Sequence, residues 1–373
     1  MDEDLRTRLL RLVAPLRPGA ALHDAELIEL STEMGLRLRF EHRGEPLDVE
    51  LTPLPSPRRF ALTTAQFGIG YRTEGDHHAV DVDTALALCR AVAERVRAHE
   101  AAIAAAPPTD APRVREVKVE RVLERAGWGS QRFYTLSPYV GCVIGCRFCY
   151  AQSNLAPLRR WAGLPEAPWG SWVDVRVNAP EVLDVELRTL PPQPIKLCPI
   201  VSDPYQALEA RWDLTGRCLD VLARHACPTL LLTRSKLVLR DVERLQKIDA
   251  QVGVSLPTID DAVRADFEPR AASVDERIAI LATLKREGVR TFAVVQPMLP
   301  GSVNDLADAL AEHAGSVSLD VLRGVENAGD DFARHPGTSD DAWQRERAAA
   351  LRDALHRRGV PTWSGELPPS FEL

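Results

Sequence analysis

Short apolar runs alternate with helix-like patterns along residues 134–358. Six of these runs have the length of buried strands, and they lie at 134–141, 194–202, 228–235, 250–256, 290–298 and 316–324. Six other segments repeat apolar residues at the period of a helix, at about 180–190, 213–225, 238–248, 273–287, 304–313 and 341–358. This alternation predicts an α/β fold with a parallel sheet covered by helices.

Six strand–helix units with right-handed connections close into most of a barrel, so we predict a partial (βα)6 barrel of the TIM type. An open, doubly wound sheet is the alternative. Basic last turns followed by Gly288 and Gly359 predict the ends of two of the helices. In either architecture, functional side chains are expected at the carboxyl ends of the strands.

The first hundred residues have a different pattern, which predicts a small α+β unit. Helix-like segments at 2–16 and 24–33 precede a hairpin over 35–51, a third strand over 60–71 and an amphipathic helix over 83–105. A Pro-rich stretch then predicts a linker. The predicted domains are therefore an accessory domain at 1–105, a linker at 106–114 and a barrel with a C-terminal extension at 115–373.

Composition and charge narrow the function classes. The 373 residues are 45% hydrophobic and 27% charged, as in an ordinary globular protein, and the net charge of −7 disfavours a generally basic nucleic-acid binder. The acidic N-terminus lacks the apolar core of a signal peptide, and no apolar run is long enough to span a membrane. Seven cysteines, an odd number, in a chain too long to need disulfides predict a reducing, cytoplasmic location.

Three cysteines fall within eight consecutive residues, Cys142, Cys146 and Cys149, directly after the first predicted barrel strand. Clustered thiolates in a reducing compartment are typical of a metal or iron–sulfur site. Gly141 and Gly145 would let the loop curl so that the three sulfurs converge. Structural zinc is an alternative, but it requires four ligands, and no fourth Cys or His lies near the cluster in the sequence.

This C-x3-C-x-aromatic-C loop, with Phe148 at the aromatic position, resembles that of the radical S-adenosylmethionine (SAM) superfamily. The resemblance covers roughly residues 115–365. It implies a barrel of the radical SAM kind and a [4Fe-4S] cluster on the three cysteines, with SAM on the open iron. It also implies hydrogen-atom abstraction from a substrate, and an external electron donor of the flavodoxin or ferredoxin type. The substrate class stays open among small molecules, peptides and nucleotides.

Residues after the later strands are similar to those of the spore photoproduct lyase-like group. The resemblance implies that cofactor-binding residues lie near the strand ends. These candidates are Tyr150, Ser202, Asp203, Arg234, Ser235, Ser255 and Gln296. A turn at Asp203 and a helix start at Ser235 are the structural alternatives for these two residues. Glu209, Glu268 and Arg270 lie beyond strand ends and are substrate candidates, with an ion pair between Glu and Arg as the alternative.

The pattern departs from that of a photoproduct lyase at one chemically important position. Ile200 stands where such lyases have a hydrogen-donating cysteine. Cys198 lies two residues earlier on the same face of the strand and is, with Tyr205, a catalytic candidate; burial in the strand is the alternative for Cys198. A photoproduct lyase-like DNA repair enzyme is therefore the second hypothesis, with nucleic acid a doubtful partner. A non-catalytic zinc-binding module is the third.

Three tryptophans, Trp161, Trp169 and Trp172, lie within twelve residues of a Pro/Gly-rich segment between the cluster and the second barrel strand. This segment is expected either to cover the cofactor pocket or to stack on a planar substrate. The alternative is a loop that buries its aromatic rings against the edge of the barrel.

Overall fold

The computed structural model describes residues 2–32, 35–54, 59–64, 67–73, 82–105, 113–127, 132–165, 167–198, 200–320, 325–368 and 371. The chain divides into two compact units. Met1–Val117 and Ser153–Ala167 form the first unit, and Lys118–Gln152 and Pro168–Leu373 form the second. Most of the predicted linker, residues 106–112, lies outside the described residues. No helix among the described residues is long and apolar enough to cross a membrane.

The first unit is built around an antiparallel sheet. Its elements, in chain order, are β1 (Asp2–Glu3), α1 (Leu5–Arg11), β2 (Ala21–Leu22), β3 (Ala25–Ser31), β4 (Leu36–His42), β5 (Glu45–Pro53), β6 (Leu62–Thr63), β7 (Phe67–Thr73) and α2 (Val82–Ala105). Strand β8 (Val114–Lys118) follows them. Six of the strands pair in the order β2-β3-β4-β5-β7-β6. The predicted hairpin is confirmed as the antiparallel pair β4 and β5.

The helix predicted over residues 24–33 is wrong, because this segment is strand β3. Residues 25–29 alternate between buried and exposed, which is the period of a strand with one covered face. The helix predicted over 2–16 is confined to α1, where Asp4 caps the first turn by accepting a hydrogen bond from the Thr7 N–H.

The second unit contains the predicted barrel. Its elements, in chain order, are β9 (Leu123–Ala126), β10 (Phe133–Leu136), β11 (Tyr139–Val140), α3 (Tyr150–Trp161), β12 (Val173–Arg176), α4 (Ala179–Thr189), β13 (Ile195–Leu197), α5 (Glu209–Trp212), α6 (Leu214–Arg224), β14 (Thr229–Thr233), α7 (Val242–Leu245), β15 (Ala250–Ser255), α8 (Asp261–Phe267), α9 (Val274–Arg286), β16 (Arg290–Val295), α10 (Val303–His313), β17 (Val317–Leu319), α11 (Gly329–Ala333), α12 (Asp341–Arg357) and β18 (Thr362–Trp363). Helix α3 continues past Gln152 into the first unit. Two 3-10 turns, Lys236–Asp241 and Val325–Ala328, complete the set.

Eight strands form one sheet in the order β9-β10-β13-β14-β15-β16-β17-β18. Within this sheet β10 and β13–β18 are parallel, and β9 is antiparallel to β10. Each of the six predicted apolar runs contains a strand of this parallel series, so the predicted partial barrel is confirmed. Gly288 and Gly359 follow α9 and α12 with φ of 75° and 74°, as expected for glycines that end helices.

The two faces of this sheet bury different residues. The side chains of one face, which include Leu231 and Val254, pack against the helices. The residues beside them in sequence point the other way, and this inner face carries Leu230, Phe292 and Cys198 together with the C-terminal Leu367 and Phe371. Because strands β10 and β13–β17 are parallel, their carboxyl ends lie at one edge of the sheet, where the site is found.

Candidate functional site

The cysteine loop connects β11 to α3 and is shaped by two glycines. Gly141 and Gly145 have φ of +88° and +68°, a region that favours glycine. A Cβ on Gly141 would lie 2.5 Å from the Trp172 ring, so the buried indole leaves no room for a side chain there. The loop therefore bends tightly and returns the third cysteine, Cys149, to the start of α3.

The three thiols of this loop converge on one cavity. It is lined by Cys142, Ile144, Cys146, Cys149, Trp169, Ser202, Asp203 and Arg234. Of the predicted site residues, the three cysteines, Ser202, Asp203 and Arg234 thus lie together. Among the described residues, the lining includes no histidine and no fourth cysteine, so the cavity offers three protein thiols.

Burial controls the protonation of these thiols. It raises the pKa of Cys142 to about 12, and it raises the pKa values of Cys146 and Cys149 as well. Backbone N–H groups of Asp203 and Ile144 at the Cys142 sulfur lower the pKa in part. An iron–sulfur cluster fits this donor set, because soft thiolates ligate iron and the charge of the metal stabilises buried thiolates.

Asp203 joins the ends of two neighbouring strands. Its Oδ1 accepts hydrogen bonds from the Tyr205 N–H (2.8 Å) and the Thr233 hydroxyl (2.7 Å), and its Oδ2 accepts one from the Arg234 N–H (2.9 Å). Burial nevertheless raises the pKa of Asp203, although these hydrogen bonds oppose the shift. The carboxylate thus has a structural role as well as a place in the cavity wall, and Oδ2 retains a lone pair for a further donor.

Arg234 brings a positive charge to the cavity. Its Nε donates to Glu268 Oε1 at 2.7 Å, and its guanidinium carbon lies 6.0 Å from the centre of the Phe148 ring. Burial alone would lower the pKa of Arg234, but the charges of Cys146 and Glu268 raise it above its usual range. The guanidinium therefore stays charged next to the cysteine loop.

The other cofactor-binding candidates lie outside the set of cavity-lining residues. Ser255 ends β15 fully buried, and its hydroxyl has no hydrogen-bond partner among the described residues. Ser235 caps the 3-10 turn at Lys236, since its hydroxyl accepts from the Leu237 N–H at 3.3 Å. Gln296 is half-buried just beyond β16, and Tyr150 is exposed at the first residue of α3.

Gln206 is a site residue that the sequence did not indicate. Its side-chain carbonyl accepts from the Val143 N–H at 2.9 Å, while its amide donates to the Gly141 carbonyl (3.2 Å) and the Ser202 hydroxyl (2.6 Å). This fully buried amide thus joins the cysteine loop to the segment after β13. The signal that was available is its position, three residues after Asp203 at a strand end.

Two predicted residues belong to a polar network outside the cavity lining. Tyr205 donates to Asp241 at 3.0 Å, and Glu209 accepts from the Tyr139 hydroxyl and, at 2.6 Å, from Arg240. Both side chains are fully buried in these contacts. Among the described residues, both side chains are engaged in this network and neither lines the cysteine cavity.

Three carboxylates in this network, on Glu209, Asp213 and Asp241, lie close enough to hold a metal ion. Arg240 already occupies their centre, with one guanidinium nitrogen at 2.6–2.7 Å from all three. The positive charge that such a group requires is therefore supplied by the protein itself.

Cys198 lies on the inner face of the sheet in an apolar cluster. Its neighbours there include Phe133, Leu230 and the C-terminal Phe371. Burial raises the pKa of Cys198 to about 12, so the group is a neutral thiol at physiological pH. It is not among the residues that line the cysteine cavity.

Arg270 braces the cysteine loop from the side. One of its guanidinium nitrogens donates to the Gly170 carbonyl at 2.8 Å, and the same nitrogen would lie 2.6 Å from a Cβ on Gly145. The predicted substrate residue thus packs between two glycines. Trp169, from the same segment as Gly170, lines the cavity and makes an edge contact with the buried Trp172 at 6.1 Å between ring centres.

The predicted tryptophan-rich segment is divided between the two units. Trp169 and Trp172 belong to the barrel unit, whereas Trp161 stacks on Phe67 in the first unit, with ring centres 5.5 Å apart. One of the three tryptophans, Trp169, therefore lies at the cysteine cavity, whereas Trp161 and Trp172 are buried.

Residues 136–313, which include the cysteine loop and the strand ends up to β16, match the family model of the radical SAM superfamily. An uncharacterized protein of Methanocaldococcus jannaschii is 30% identical over 175 residues, which cover 46% of this chain and 62% of the relative. The chain thus spans less than two thirds of the length of this relative. An uncharacterized protein of Mycobacterium tuberculosis is 28% identical over 256 residues, or 64% of this chain and 70% of the relative.

Among solved structures, a spore photoproduct lyase complexed with a dinucleoside spore photoproduct aligns with a TM-score of 0.49 and 14% identity. The alignment covers 70% of this chain and 87% of the lyase chain.

Proposed function

Since residues 136–313 constitute a radical SAM domain, whose cofactors are a [4Fe-4S] cluster and SAM, we propose that Cys142, Cys146 and Cys149 ligate the cluster and that SAM binds its open iron. These cofactors supply reductive cleavage of the sulfonium and abstraction of a hydrogen atom from a substrate. The protein binds and orients them.

The observation that carries this proposal is the composition of one cavity. Three thiols share it with a hydroxyl, a carboxylate and a guanidinium, from Ser202, Asp203 and Arg234. The amino-acid end of SAM carries an ammonium and a carboxylate, which require an acceptor and a cationic donor respectively.

The residues around the cavity match the chemical groups of SAM one by one. Arg234 binds the carboxylate through its terminal guanidinium nitrogens, and Asp203 Oδ2 accepts from the ammonium. Ser202 contributes its hydroxyl. The unpartnered hydroxyl of Ser255 is available to a ribose oxygen. By the resemblance, Gln296 and the backbone at Tyr150 are the candidates for the adenosine part of SAM.

The two other hypotheses lack support from the site. Structural zinc requires four ligands, and three cysteines without a histidine line the cavity. Photoproduct-lyase chemistry requires a hydrogen donor at the cavity, but Cys198 and Tyr205 are buried in other contacts. We therefore favour a different substrate, which is a small molecule, a peptide or a nucleotide, and an external electron donor.

Anaerobic reconstitution with iron and sulfide tests the proposal. The full chain is expected to bind close to four irons and, once reduced, to convert SAM into 5′-deoxyadenosine. Replacing Cys142, Cys146 and Cys149 together with alanine should abolish iron binding and cleavage. The control is Cys227→Ala, a half-buried cysteine away from the loop, which should leave both unchanged. Zinc in place of iron, or cleavage by the triple variant, would disprove the assignment.

A further inference from the structure

Glu268 lies fully buried between two arginines. Its Oε1 accepts from Arg234 Nε at 2.7 Å, and its Oε2 lies 2.7 Å from a terminal nitrogen of Arg277. Glu268 and the Arg277 side chain are completely inaccessible to solvent, whereas Arg234 reaches the cysteine cavity. The three charges sum to one positive charge beside the cysteine loop.

Backbone groups hold the inner arginine firmly. Arg277 donates from Nε to the Ala272 carbonyl at 2.9 Å and from a terminal nitrogen to the Ser255 carbonyl at 2.8 Å. The Ala272 N–H in turn donates to the Arg234 carbonyl at 3.1 Å. Arg277 is thus fixed at the end of β15. Glu268 contacts both Arg277 and Arg234, and so holds Arg234 in place at the end of β14.

The orientation of Arg234 follows from these contacts. Its Nε is occupied by Glu268, and no described residue accepts a hydrogen bond from either of its terminal nitrogens. Buried ion pairs gain little stability over apolar packing, because desolvation offsets most of the attraction. Stability alone therefore does not account for this arrangement, whereas presenting an ordered guanidinium to the cavity does.

We propose that Glu268 and Arg277 are positioning residues that fix the guanidinium of Arg234 for the carboxylate of SAM. The inference rests on the proposed function, and it replaces the expectation that Glu268 contacts substrate. An ordered guanidinium binds a carboxylate more tightly than a mobile one, because less conformational entropy is lost on binding. Loss of Glu268 should then weaken SAM binding without removing any group that touches SAM.

A double-mutant cycle on the reconstituted full-length chain tests this role, with the dissociation constant of SAM as the readout. Arg234→Gln and Glu268→Gln should each weaken SAM binding about tenfold, as expected for a charge-assisted hydrogen bond. The double variant should bind SAM no more weakly than Arg234→Gln alone, because Glu268 acts through Arg234. The proposal would be overturned if the two effects on the dissociation constant multiplied in the double variant. It would also be overturned if Glu268→Gln left the dissociation constant unchanged.

Glu268→Gln leaves the charge of Arg277 unpaired in the core, which threatens folding. The variant Glu268→Gln/Arg277→Gln removes both charges and should fold, while still showing the tenfold weaker SAM binding. SAM binding at the level of the unmodified protein would contradict the positioning role.

Glu276→Gln is the matched control, because Glu276 pairs with Lys236 at the surface and should not influence SAM. Decarboxylated SAM provides a second readout. The unmodified protein should prefer SAM to this analogue, and Glu268→Gln should reduce the preference. A preference that survives in Glu268→Gln would overturn the positioning role alone. An unmodified, cluster-loaded protein that binds no SAM would instead disprove the proposed function.

Discussion

The side-chain carbonyl of Gln206 accepts a hydrogen bond from the Val143 N–H at 2.9 Å, between two ligand cysteines of the proposed cluster. Gln206 is fully buried and also bonds the Gly141 carbonyl. One amide therefore satisfies both a donor and an acceptor of a loop that forms no regular structure, and the loop depends on it.

Gln206→Met should weaken this loop, because it removes the hydrogen bonds at nearly constant volume. Leaving the half-buried Val143 N–H and the buried Gly141 carbonyl without partners should cost up to about 1–3 kcal/mol each. We expect a lower free energy of unfolding and faster loss of iron to a chelator. Gln246→Met, which removes an exposed hydrogen bond to the Glu287 carbonyl, is the control and should leave iron retention unchanged.

Gly145→Ala should lower the free energy of unfolding by more than the backbone conformation of Gly145 alone predicts. The φ of +68° costs a non-glycine residue about 1–2 kcal/mol, and the new Cβ would lie 2.6 Å from an Arg270 nitrogen. Gly288→Ala is the matched control, with φ of +75° and no atom within 4 Å of the new Cβ. Free energies of unfolding measure the difference.

In an Arg270→Ala background, the difference in cost between the two alanine substitutions should shrink, because the closest contact is gone and only the Gly170 Cα, at 3.3 Å from the new Cβ, remains tight. If Gly145→Ala and Gly288→Ala lowered the free energy of unfolding equally in the unmodified background, the Arg270 side chain would move aside without cost and would not brace the loop.

The barrel was predictable because its strands are continuous apolar runs. A strand buried on both faces leaves such a run in the sequence, and the parallel order follows from the short helical connections. The error at 25–31 has a local cause, since AELIELS alternates like a strand but also places leucines three residues apart, as a helix does. Helix α3 was missed because Pro157 interrupts its pattern.

The site was predictable only in part. Spacing indicated Cys142, Cys146 and Cys149, and the order of strand ends indicated Asp203 and Arg234, since both signals are local. Gln206 bonds Gly141 across 65 residues, Glu268 bonds Arg234 across 34 and Arg277 bonds Ser255 across 22, although Glu268 and Arg277 themselves are close in sequence. No local pattern encodes such long-range pairings, so the sequence leaves Glu268 open between a substrate contact and an ion pair with an arginine.

Cys198→Ala should leave SAM cleavage and iron content unchanged. Its thiol lies among apolar side chains of the inner face, and its pKa of about 12 keeps it neutral. The expected cost is about 1 kcal/mol of stability, from the lost packing of a small buried side chain. Cys146→Ala is the comparison, because it should remove a cluster ligand and lower the iron content. Loss of cleavage in Cys198→Ala, with iron intact, would instead show that Cys198 contributes to SAM binding or cleavage.

Asp261 should contribute to stability in a defined pH range. Hydrogen bonds from the Arg264 guanidinium and the Val274 N–H lower the pKa of Asp261 to about 2, whereas an unfolded chain has a value of about 3.9. A carboxylate with a lowered pKa in the folded state stabilises the protein above the unfolded value. This contribution is lost as the pH falls from about 4 to about 2.

Asp261→Asn should therefore lower the Tm at neutral pH and flatten its dependence on pH below about 4. Thermal unfolding followed by circular dichroism across that range measures both effects. Arg264→Gln removes the largest cause of the lowered pKa and should flatten the same range to a lesser degree, since the Val274 N–H remains. If both variants retained the full acid dependence, the destabilisation of the protein in acid would arise from carboxylates other than Asp261.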